Sequence, residues 1–290
     1  MRTILFYNDT WRMAPPTMPD CPVACRLLFD PARLEEADLV VFHVPTLPGP
    51  IGAAKPAGQR WVAWSMESEA NYPQLEDADF MRRFDLTMTY RRDADAWAPY
   101  FEPGLLADLA LPAAAKTESA PAVFFASNPL DRSGRSAYVR ELMRYLPVDS
   151  YGRLLRNRTL DRDDGRATKL ATIARYRFTL AFENSVATDY VTEKFFDPLI
   201  AGSVPVYLGA PDIDDFAPSD HCYINVADYD DPAALAAYLS RLAKDEDEYA
   251  RYLAWKTTGP DERFVALVER TRVHPVCRLA LLAAGQERQR

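Results

Sequence analysis

Short apolar runs along the first hundred residues predict a series of β-strands. The runs at residues 3–7, 39–44, 61–64 and 84–90 predict about four strands, because each is a continuous or alternating stretch of strand-forming residues. Residues 10–24 contain four prolines, which is typical of an irregular loop. The strands, with short helical stretches between them, indicate one α/β unit.

A second α/β unit is predicted beyond residues 102–121, where proline, alanine and small polar residues are typical of a linker. A strand at 123–126, a turn at 127–129 and an amphipathic helix at 135–146 follow in order. Further elements are predicted at 223–226 as a strand and at 232–242, 245–256 and 262–284 as helices. We predict domains at 1–115 and 116–260, with residues 261–290 forming a last helix that packs back toward the N-terminal domain.

The segment 177–211, RFTLAFENSVATDYVTEKFFDPLIAGSVPVYLGAP, carries the densest chemistry in the chain. Its pattern predicts a strand ending near Glu183, a helix with Thr192 as its N-cap that stops near Gly202, and a second buried strand. Such a unit has parallel strands, and ligands collect outside the carboxyl ends of those strands. Lys194 beside a helix N-terminus predicts a phosphate site there.

Composition and charge narrow the list of partners. The chain has 290 residues, 34 Lys and Arg against 42 Asp and Glu, and a formal net charge of −8. We therefore expect no nucleic-acid partner. The sequence has no apolar run long enough to predict a membrane-spanning segment. We therefore expect a cytoplasmic protein, with peripheral membrane contact left open. Four scattered cysteines are typical of buried thiols.

Metal and triad chemistry receive little support from the sequence. Asp-x-Asp pairs at residues 93–95, 161–163 and 212–214 resemble divalent-metal motifs, but such pairs are also common in turns. Paired cations would make a metal unnecessary, so we predict no metal site and no required cofactor. The three histidines are not paired with an acid or nucleophile in sequence, which argues against a catalytic triad.

Several motifs together resemble the α1,3/4-fucosyltransferases. They are FENS at 182–185, DYVTEKFFD at 189–197, VPVYLGAP at 204–211, WVAWSMESEANYP at 61–73, FDLTMTYRRDADAWAPY at 84–100, and SNP at 127–129 followed by Arg135. The matches run in order through residues 61–230. Residues 10–60, which would shape an acceptor pocket, match nothing in the family pattern.

The resemblance implies an α/β fold of the GT-B type, in which two Rossmann-like domains face each other across a cleft. It implies an inverting transfer of L-fucose from GDP-fucose to a hydroxyl, O3 of GlcNAc or Glc, of an oligosaccharide or glycolipid acceptor. The soluble, bacterial branch of the family is the better fit. Two alternatives stay open, namely a different nucleotide-sugar donor and a non-catalytic carbohydrate-binding protein.

The resemblance also assigns roles to individual residues. Glu67 is the expected catalytic base, with Glu69 as its local competitor, and Lys194 and Arg135 are the expected diphosphate clamp. The remaining donor-binding candidates are Ser127, Asn128, Glu183, Asn184, Tyr190, Val191, Thr192 and Glu193. Guanine recognition is not resolved by the pattern, although Tyr151, Arg153 and the loop through Asn157 are candidates. The plain alternatives are a surface acid at Glu67, an exposed helix lysine at Lys194 and an ordinary helix-start arginine at Arg135.

Overall fold

The computed structural model of the chain describes residues 1–285 except positions 16, 18, 19, 48, 50 and 53. Its strands are β1 (Arg2–Phe6), β2 (Cys25–Leu28), β3 (Leu39–His43), β4 (Arg60–Ser65), β5 (Leu86–Thr89), β6 (Ala96–Trp97), β7 (Ala122–Phe124), β8 (Val148–Ser150), β9 (Phe178–Phe182), β10 (Val204–Leu208) and β11 (Ile224–Asn225). Its α-helices are α1 (Ala78–Met81), α2 (Leu105–Leu109), α3 (Arg135–Leu142), α4 (Arg166–Ile173), α5 (Glu193–Ala201), α6 (Pro232–Leu242), α7 (Glu246–Arg251), α8 (Trp255–Thr258), α9 (Glu262–Glu269) and α10 (Pro275–Ala283).

The chain divides into two compact units. The first, the N-terminal unit, is Met1–Pro99 together with the segment that starts at Arg270, and the second, the C-terminal unit, is Tyr100–Glu269. The domain boundaries that the sequence predicts after residues 115 and 260 stay a prediction.

The N-terminal unit is built on a 6-stranded parallel sheet in the order β2-β1-β3-β4-β5-β6. Apolar side chains cover both faces, since β3 is buried along its whole length. The helix α10 packs against β1 and β6 and contributes Leu279 and Ala280 to the core. The order of strands reverses between β1 and β3, which is one topological switch point.

The C-terminal unit is built on a 5-stranded parallel sheet in the order β11-β10-β9-β7-β8. Its core joins β7, β9 and β10 to the helices α3 and α6, with Phe178, Leu180 and Phe182 fully or nearly buried. The order reverses between β7 and β9, so the loops after these two strands open at a switch point where α/β sheets bind ligands.

The central prediction from the sequence is confirmed: β9, α5 and β10 follow one another, and the two strands are parallel in register from Phe178 opposite Val204. Thr192 is the N-cap of α5, and Gly202 ends the helix. The φ of Gly202 is 70°, in the left-handed region, where a residue with a side chain would be strained. The local signals for capping and termination therefore agree with the packing.

The prediction of one helix over 262–284 is wrong. The segment forms two helices, α9 in the C-terminal unit and α10 in the N-terminal unit, with a short 3₁₀ turn at Arg270–Arg272 between them. Pro275 stands in the first turn of α10, where its missing N–H costs nothing, but it cannot continue a helix from the preceding turn. Residues 286–290 of the predicted last helix lie outside the described residues.

Other elements differ from the sequence predictions. The predicted linker at 102–121 contains the helix α2, and the basic stretch at 153–177 contains α4. The first sheet has two strands more than expected, β2 and β6, which are short edge strands. Of the proline-rich segment 10–24, positions 16, 18 and 19 lie outside the described residues.

No described helix has the length and apolar character needed to span a lipid bilayer.

Candidate active site

The candidate donor site is organised by the contact between the end of β9 and the start of α5. The Glu183 carboxylate accepts a hydrogen bond of 2.8 Å from the backbone N–H of Thr192 and another of 2.8 Å from its hydroxyl. The Thr192 Oγ1 in turn accepts a hydrogen bond of 3.3 Å from the Lys194 backbone N–H. This ladder fixes the first turn of α5 at the switch point of the second sheet.

Lys194 supplies the positive charge of the site. Its Nζ donates to Thr192 Oγ1 at 3.0 Å and lies 3.4 Å from Glu183 Oε2 and 3.4 Å from Glu193 Oε1. Burial lowers the pKa of the Lys194 ammonium, but the two carboxylates outweigh burial, so the net direction is upward. Lys194 therefore stays protonated at the start of α5, where the helix dipole alone would disfavour a cation.

The two acids beside Lys194 behave differently. Glu183 is completely buried, which raises the pKa of its carboxyl against the pull of Lys194 and Thr192. Burial also raises the pKa of Glu193, but Lys194 and Lys169 outweigh it and bring that pKa to about 2. The Glu193 side chain is 43% exposed and ionised, so it can accept hydrogen bonds from ligand hydroxyls.

The helix α4 strengthens this arrangement, although the sequence did not predict that helix. Its Lys169 Nζ lies 2.9 Å from the buried Asp197 carboxylate of α5 and 3.8 Å from Glu193. Arg166 also contacts Asp197, at 3.0 Å. Two cations of α4, Arg166 and Lys169, thus join α4 to α5.

Arg135 lies beneath the switch point and not on its surface. The residue is only 1% exposed, and its guanidinium donates to the backbone carbonyls of Phe182 at 3.2 Å and Asn128 at 2.9 Å. It therefore ties the loop after β7 to the end of β9. Its Nε has no hydrogen-bond partner among the described residues. The predicted phosphate contact stays a prediction, and bracing of the two loops is the role that the contacts support.

The other predicted donor residues occupy the two loops at the switch point. Ser127 and Asn128 are exposed after β7, where Ser127 Oγ accepts from the Arg153 backbone N–H at 3.2 Å. The Asn184 carbonyl accepts from the backbone N–H groups of Arg132 and Ser133, which joins the second loop to the first. Tyr190 and Val191 are buried just before Thr192. All of the predicted donor residues thus surround the ends of β7 and β9.

Asp189 shows how the loop before α5 is held. Its φ of 65° lies in the left-handed region, and the Asp212 carboxylate accepts from its backbone N–H at 3.0 Å and 3.2 Å. A non-glycine residue keeps such a conformation only where its surroundings enforce it. Asp212 was considered from sequence only as part of an Asp-x-Asp pair, and its role as a backbone clamp carries no sequence signal.

The guanine candidates separate into one structural residue and two with contacts that leave a role open. The Asn157 amide accepts from the Ser150 N–H at 2.8 Å and donates to the Val148 carbonyl at 2.9 Å, so it serves β8. Tyr151 stacks on Phe125 with ring centroids 5.1 Å apart. The contacts of the Asn157 side chain therefore support a structural role at β8.

Glu67 follows β4 in the N-terminal unit and is half-buried. The Ser65 hydroxyl accepts from the Glu67 backbone N–H at 3.0 Å, and the Asn71 amide donates to the Glu67 carboxylate at 3.4 Å. The competing acid, Glu69, accepts a hydrogen bond from the Tyr90 hydroxyl. Both acids are therefore held by neighbouring side chains, and the assignment of Glu67 as the base stays a prediction.

The Asp-x-Asp pairs are engaged in protein contacts. Asp95 accepts from the Thr87 backbone N–H, Asp163 from the Gly165 N–H and Asp214 from the Tyr223 hydroxyl. Within the part of the chain that the structure describes, no group of three potential ligands is placed to hold a metal ion. Metal independence of the protein stays a prediction.

Two α/β units, each built on a parallel sheet, and a cation at the start of a helix beside a switch point are features found in many proteins that bind phosphorylated ligands. The comparisons with known proteins make this class specific. A family model described as fucosyltransferase, N-terminal, matches residues 1–101, and one described as glycosyltransferase family 10 (fucosyltransferase) C-term matches residues 114–290. The chain belongs to glycosyltransferase family 10, the fucosyltransferases.

Two relatives and one solved structure illustrate the similarity. The chain is 38% identical over 240 residues to a fucosyltransferase-like protein of Arabidopsis thaliana, covering 82% of this chain and 46% of that protein. It is 37% identical over 278 residues to the 4-galactosyl-N-acetylglucosaminide 3-alpha-L-fucosyltransferase of Homo sapiens, covering 88% of this chain and 71% of that protein. A crystal structure of an α1,3-fucosyltransferase with GDP aligns with a TM-score of 0.60 at 18% identity, covering 91% of this chain and 82% of the other.

These figures set what each comparison supports. The chain spans about half the length of the Arabidopsis relative. Because its sequence identity is only 18%, the crystal structure supports the fold alone. The predicted fold class and family are therefore confirmed.

Proposed function

We propose that the protein transfers L-fucose from GDP-fucose, with inversion, to a hydroxyl of an oligosaccharide or glycolipid, O3 of GlcNAc or Glc. The observation that carries the proposal is the Lys194 ammonium at the first turn of α5, flanked by an ionised Glu193 at the switch point. Membership of the fucosyltransferase family supports it. So does the human relative, whose name states 3-alpha-L-fucosyl transfer to an N-acetylglucosaminide.

The donor half of the reaction follows from the charges of the C-terminal unit. Inverting transfer leaves negative charge on the departing diphosphate, and a fixed cation stabilises that charge as it develops. Lys194 would fill this role, while the exposed carboxylate of Glu193 would accept hydrogen bonds from ribose hydroxyls. Arg135 would act from below by holding the two loops together, with a direct phosphate contact as the predicted extension.

The acceptor half requires one base. A carboxylate that takes the proton from the attacking hydroxyl is sufficient for a single displacement. Glu67 would be that base, oriented by the Asn71 amide, and no metal would be required. The acceptor's own identity, and an α1,3 or α1,4 linkage, would depend on residues of the N-terminal unit.

Product analysis tests the proposal. The protein is incubated with N-acetyllactosamine and, in turn, GDP-fucose, GDP-mannose, UDP-galactose and UDP-GlcNAc, with and without EDTA, and the product linkage is assigned by NMR. We expect turnover with GDP-fucose alone, an α-linked product from the β-linked donor, and no effect of EDTA. Transfer from another donor with none from GDP-fucose would refute the proposed donor.

The base assignment needs its own variant. Glu67→Gln is expected to lose turnover while it keeps GDP affinity, and Glu76→Gln, which changes a nearby exposed acid, is the matched control. Turnover of Glu67→Gln at the wild-type rate would show that another group removes the proton.

A further inference from the structure

The Lys169 side chain extends from α4 to α5, where its ammonium contacts two carboxylates. Its Nζ lies 2.9 Å from Asp197 Oδ2 and 3.8 Å from Glu193 Oε1. Glu193 and Asp197 are four residues apart on α5, so they lie on the same face of the helix, one turn apart. Lys169 therefore lies between a buried acid and the partly exposed acid of the candidate donor site.

The buried acid, Asp197, holds the Lys169 ammonium in place. The Asp197 side chain is 1% exposed, and the two cations that contact it, Arg166 and Lys169, are three residues apart on one face of α4. A buried carboxylate is costly unless it is paired, so these ion pairs join the two helices. The position of Lys169 is therefore set by the packing of α4 on α5.

The Glu193 carboxylate has two ammonium groups on one of its oxygens. Lys194 Nζ lies 3.4 Å and Lys169 Nζ lies 3.8 Å from the same atom, Oε1. Lys194 is the next residue along α5, whereas Lys169 belongs to a different helix. Two cations on different elements restrict the carboxylate more than one neighbour on its own turn can, and the carboxylate has lone pairs left for the hydroxyls of a ligand.

The balance of charge on this face of α5 also requires Lys169. Glu193 and Asp197 carry like charges at a spacing that is unfavourable on a helix. Lys194 cannot serve Glu193 alone, because its Nζ lies 3.4 Å from Glu183 Oε2 as well as 3.4 Å from Glu193 Oε1. Lys169 thus supplies the second positive charge that holds Glu193 in one place beside Asp197.

We propose that Lys169 is a positioning residue of the donor site, which holds Glu193 in the orientation that accepts hydrogen bonds from the ribose hydroxyls of a nucleoside diphosphate sugar. The buried Asp197 fixes Lys169 for this purpose. The inference rests on the proposed function, since Glu193 is the proposed ribose ligand of that same reaction. Lys169 acts through Glu193, so it sets donor affinity and nucleotide selectivity and not the rate of the chemical step.

Two nucleotides that differ only in their ribose hydroxyls test this role. GDP and 2′,3′-dideoxy-GDP are titrated by calorimetry into the wild type and Lys169→Met. The wild type should bind GDP more tightly than the dideoxy form. Lys169→Met should weaken GDP binding about three- to tenfold, as loss of a partly exposed ion pair does, and should leave the affinity for the dideoxy form unchanged.

Kinetics provide a second readout of the same role. The KM for GDP-fucose should rise in Lys169→Met by the same factor as the dissociation constant of GDP, while kcat stays constant, because a ribose contact is equal in the ground state and the transition state. Lys169→Arg keeps the positive charge and should restore most of the affinity for GDP.

A double-mutant cycle separates positioning of Glu193 from support of the fold. In a Glu193→Gln background, Lys169→Met should have little further effect on GDP affinity, because the group through which Lys169 acts is already altered. Arg166→Met is the matched control, since it removes the other cation that contacts Asp197 from the same helix. It should lower the melting temperature to a similar extent but keep the affinity and the preference for GDP.

The outcomes separate this inference from the proposed function. Absence of fucose transfer by a wild type that binds GDP in preference to the dideoxy form would refute the proposed function alone. Wild-type GDP affinity in Lys169→Met would overturn the positioning role. So would an equal loss of affinity for both nucleotides, or an equal effect of Lys169→Met with Glu193 and with Gln at position 193. Melting curves confirm that the variants are folded.

Discussion

Glu183 at the end of β9 and Thr192 at the start of α5 are joined by two hydrogen bonds of 2.8 Å. One oxygen of the buried carboxylate accepts from the backbone N–H of Thr192, and the other accepts from its hydroxyl. A buried carboxylate is costly unless its oxygens accept hydrogen bonds. Here both oxygens accept from Thr192, and the Lys194 ammonium lies 3.4 Å from Glu183 Oε2. The pair therefore couples the stability of the C-terminal unit to the geometry of the donor site.

Thr192→Val tests this coupling by removing the hydroxyl and the N-cap while it keeps the shape of the side chain. We expect the unit to lose about 2–3 kcal/mol, the sum of a cap and a hydrogen bond to a charged group. Thermal unfolding followed by circular dichroism should show a lower midpoint and a weaker affinity for GDP. Thr192→Ser should restore most of both.

The matched control for that change is Thr117→Val, because Thr117 is an exposed threonine of the same unit. It should leave the midpoint and GDP affinity unchanged. An equal loss in the two variants would mean that the effect comes from replacing threonine in general and not from the contact with Glu183.

Lys194→Met tests the charge of the donor site. Removing the ammonium should weaken GDP binding about ten- to a hundredfold, because the diphosphate loses its charged hydrogen-bond partner. Isothermal titration at low and high salt measures the affinity, and the variant should also show a smaller dependence on salt. Lys244→Met removes an exposed lysine of the same unit as the control. GDP affinity of Lys194→Met within twofold of the wild type would reject Lys194 as a diphosphate ligand.

The elements that could be predicted from the sequence are those whose signals are local. The end of β9 and the bounds of α6 agree with the predictions because their signals are local: apolar residues alternate along β9, and Asp231 and Pro232 mark the start of α6. The strands β2, β6 and β8 have 4, 2 and 3 residues and take their conformation from pairing with a neighbour. A pattern of two to four residues cannot predict such pairing.

The site shows the same limit. Motif resemblance selected the loops at the switch point, and the structure brings those loops together. The motif resemblance could not indicate that Arg135 is buried and bonded to backbone carbonyls. Nor could it indicate that Lys169 contacts Glu193 and Asp197 from another helix. The contacts of Arg135 with Phe182, and of Lys169 with Glu193 and Asp197, join segments more than twenty residues apart, for which a single sequence carries no signal.

His43 predicts a dependence of stability on pH in the N-terminal unit. The ring is fully buried between Trp11 and Trp64, with Nδ1 at 2.8 Å from Thr46 Oγ1. Burial lowers the pKa of His43 from 6.5 to about 4, against the opposing charge of Asp9. The unfolded chain therefore binds more protons between these values, so stability is complete above pH 6.5 and is lost as the pH falls toward 4.

Protonation of this histidine is expected to lower the free energy of unfolding by about 2 kcal/mol between pH 7 and pH 5. Unfolding of the wild type and of His43→Gln is followed by tryptophan fluorescence across this range. The variant should be less stable at pH 7 and should show a flatter pH profile. His221→Gln, which changes an exposed histidine, should keep the wild-type profile. Parallel profiles for the wild type and His43→Gln would show that the buried ring does not titrate in this range.

Gly209 allows β10 to end against the site, and its replacement tests how closely that region is packed. A Cβ at this position would lie 2.4 Å from the Tyr207 hydroxyl and 2.7 Å from Glu183 Cγ. Both side chains are almost completely buried, so neither can move without displacing its neighbours. Gly209→Ala should therefore cost about 1–3 kcal/mol as an overpacked substitution, and it should shift Glu183 away from Thr192.

Gly104→Ala, where a Cβ meets nothing within 4 Å, is the control and should be neutral or slightly stabilising. Measured by thermal unfolding and GDP titration, Gly209→Ala should lose stability and affinity together. A loss of stability with unchanged GDP affinity would contradict the link between Glu183 and the donor site.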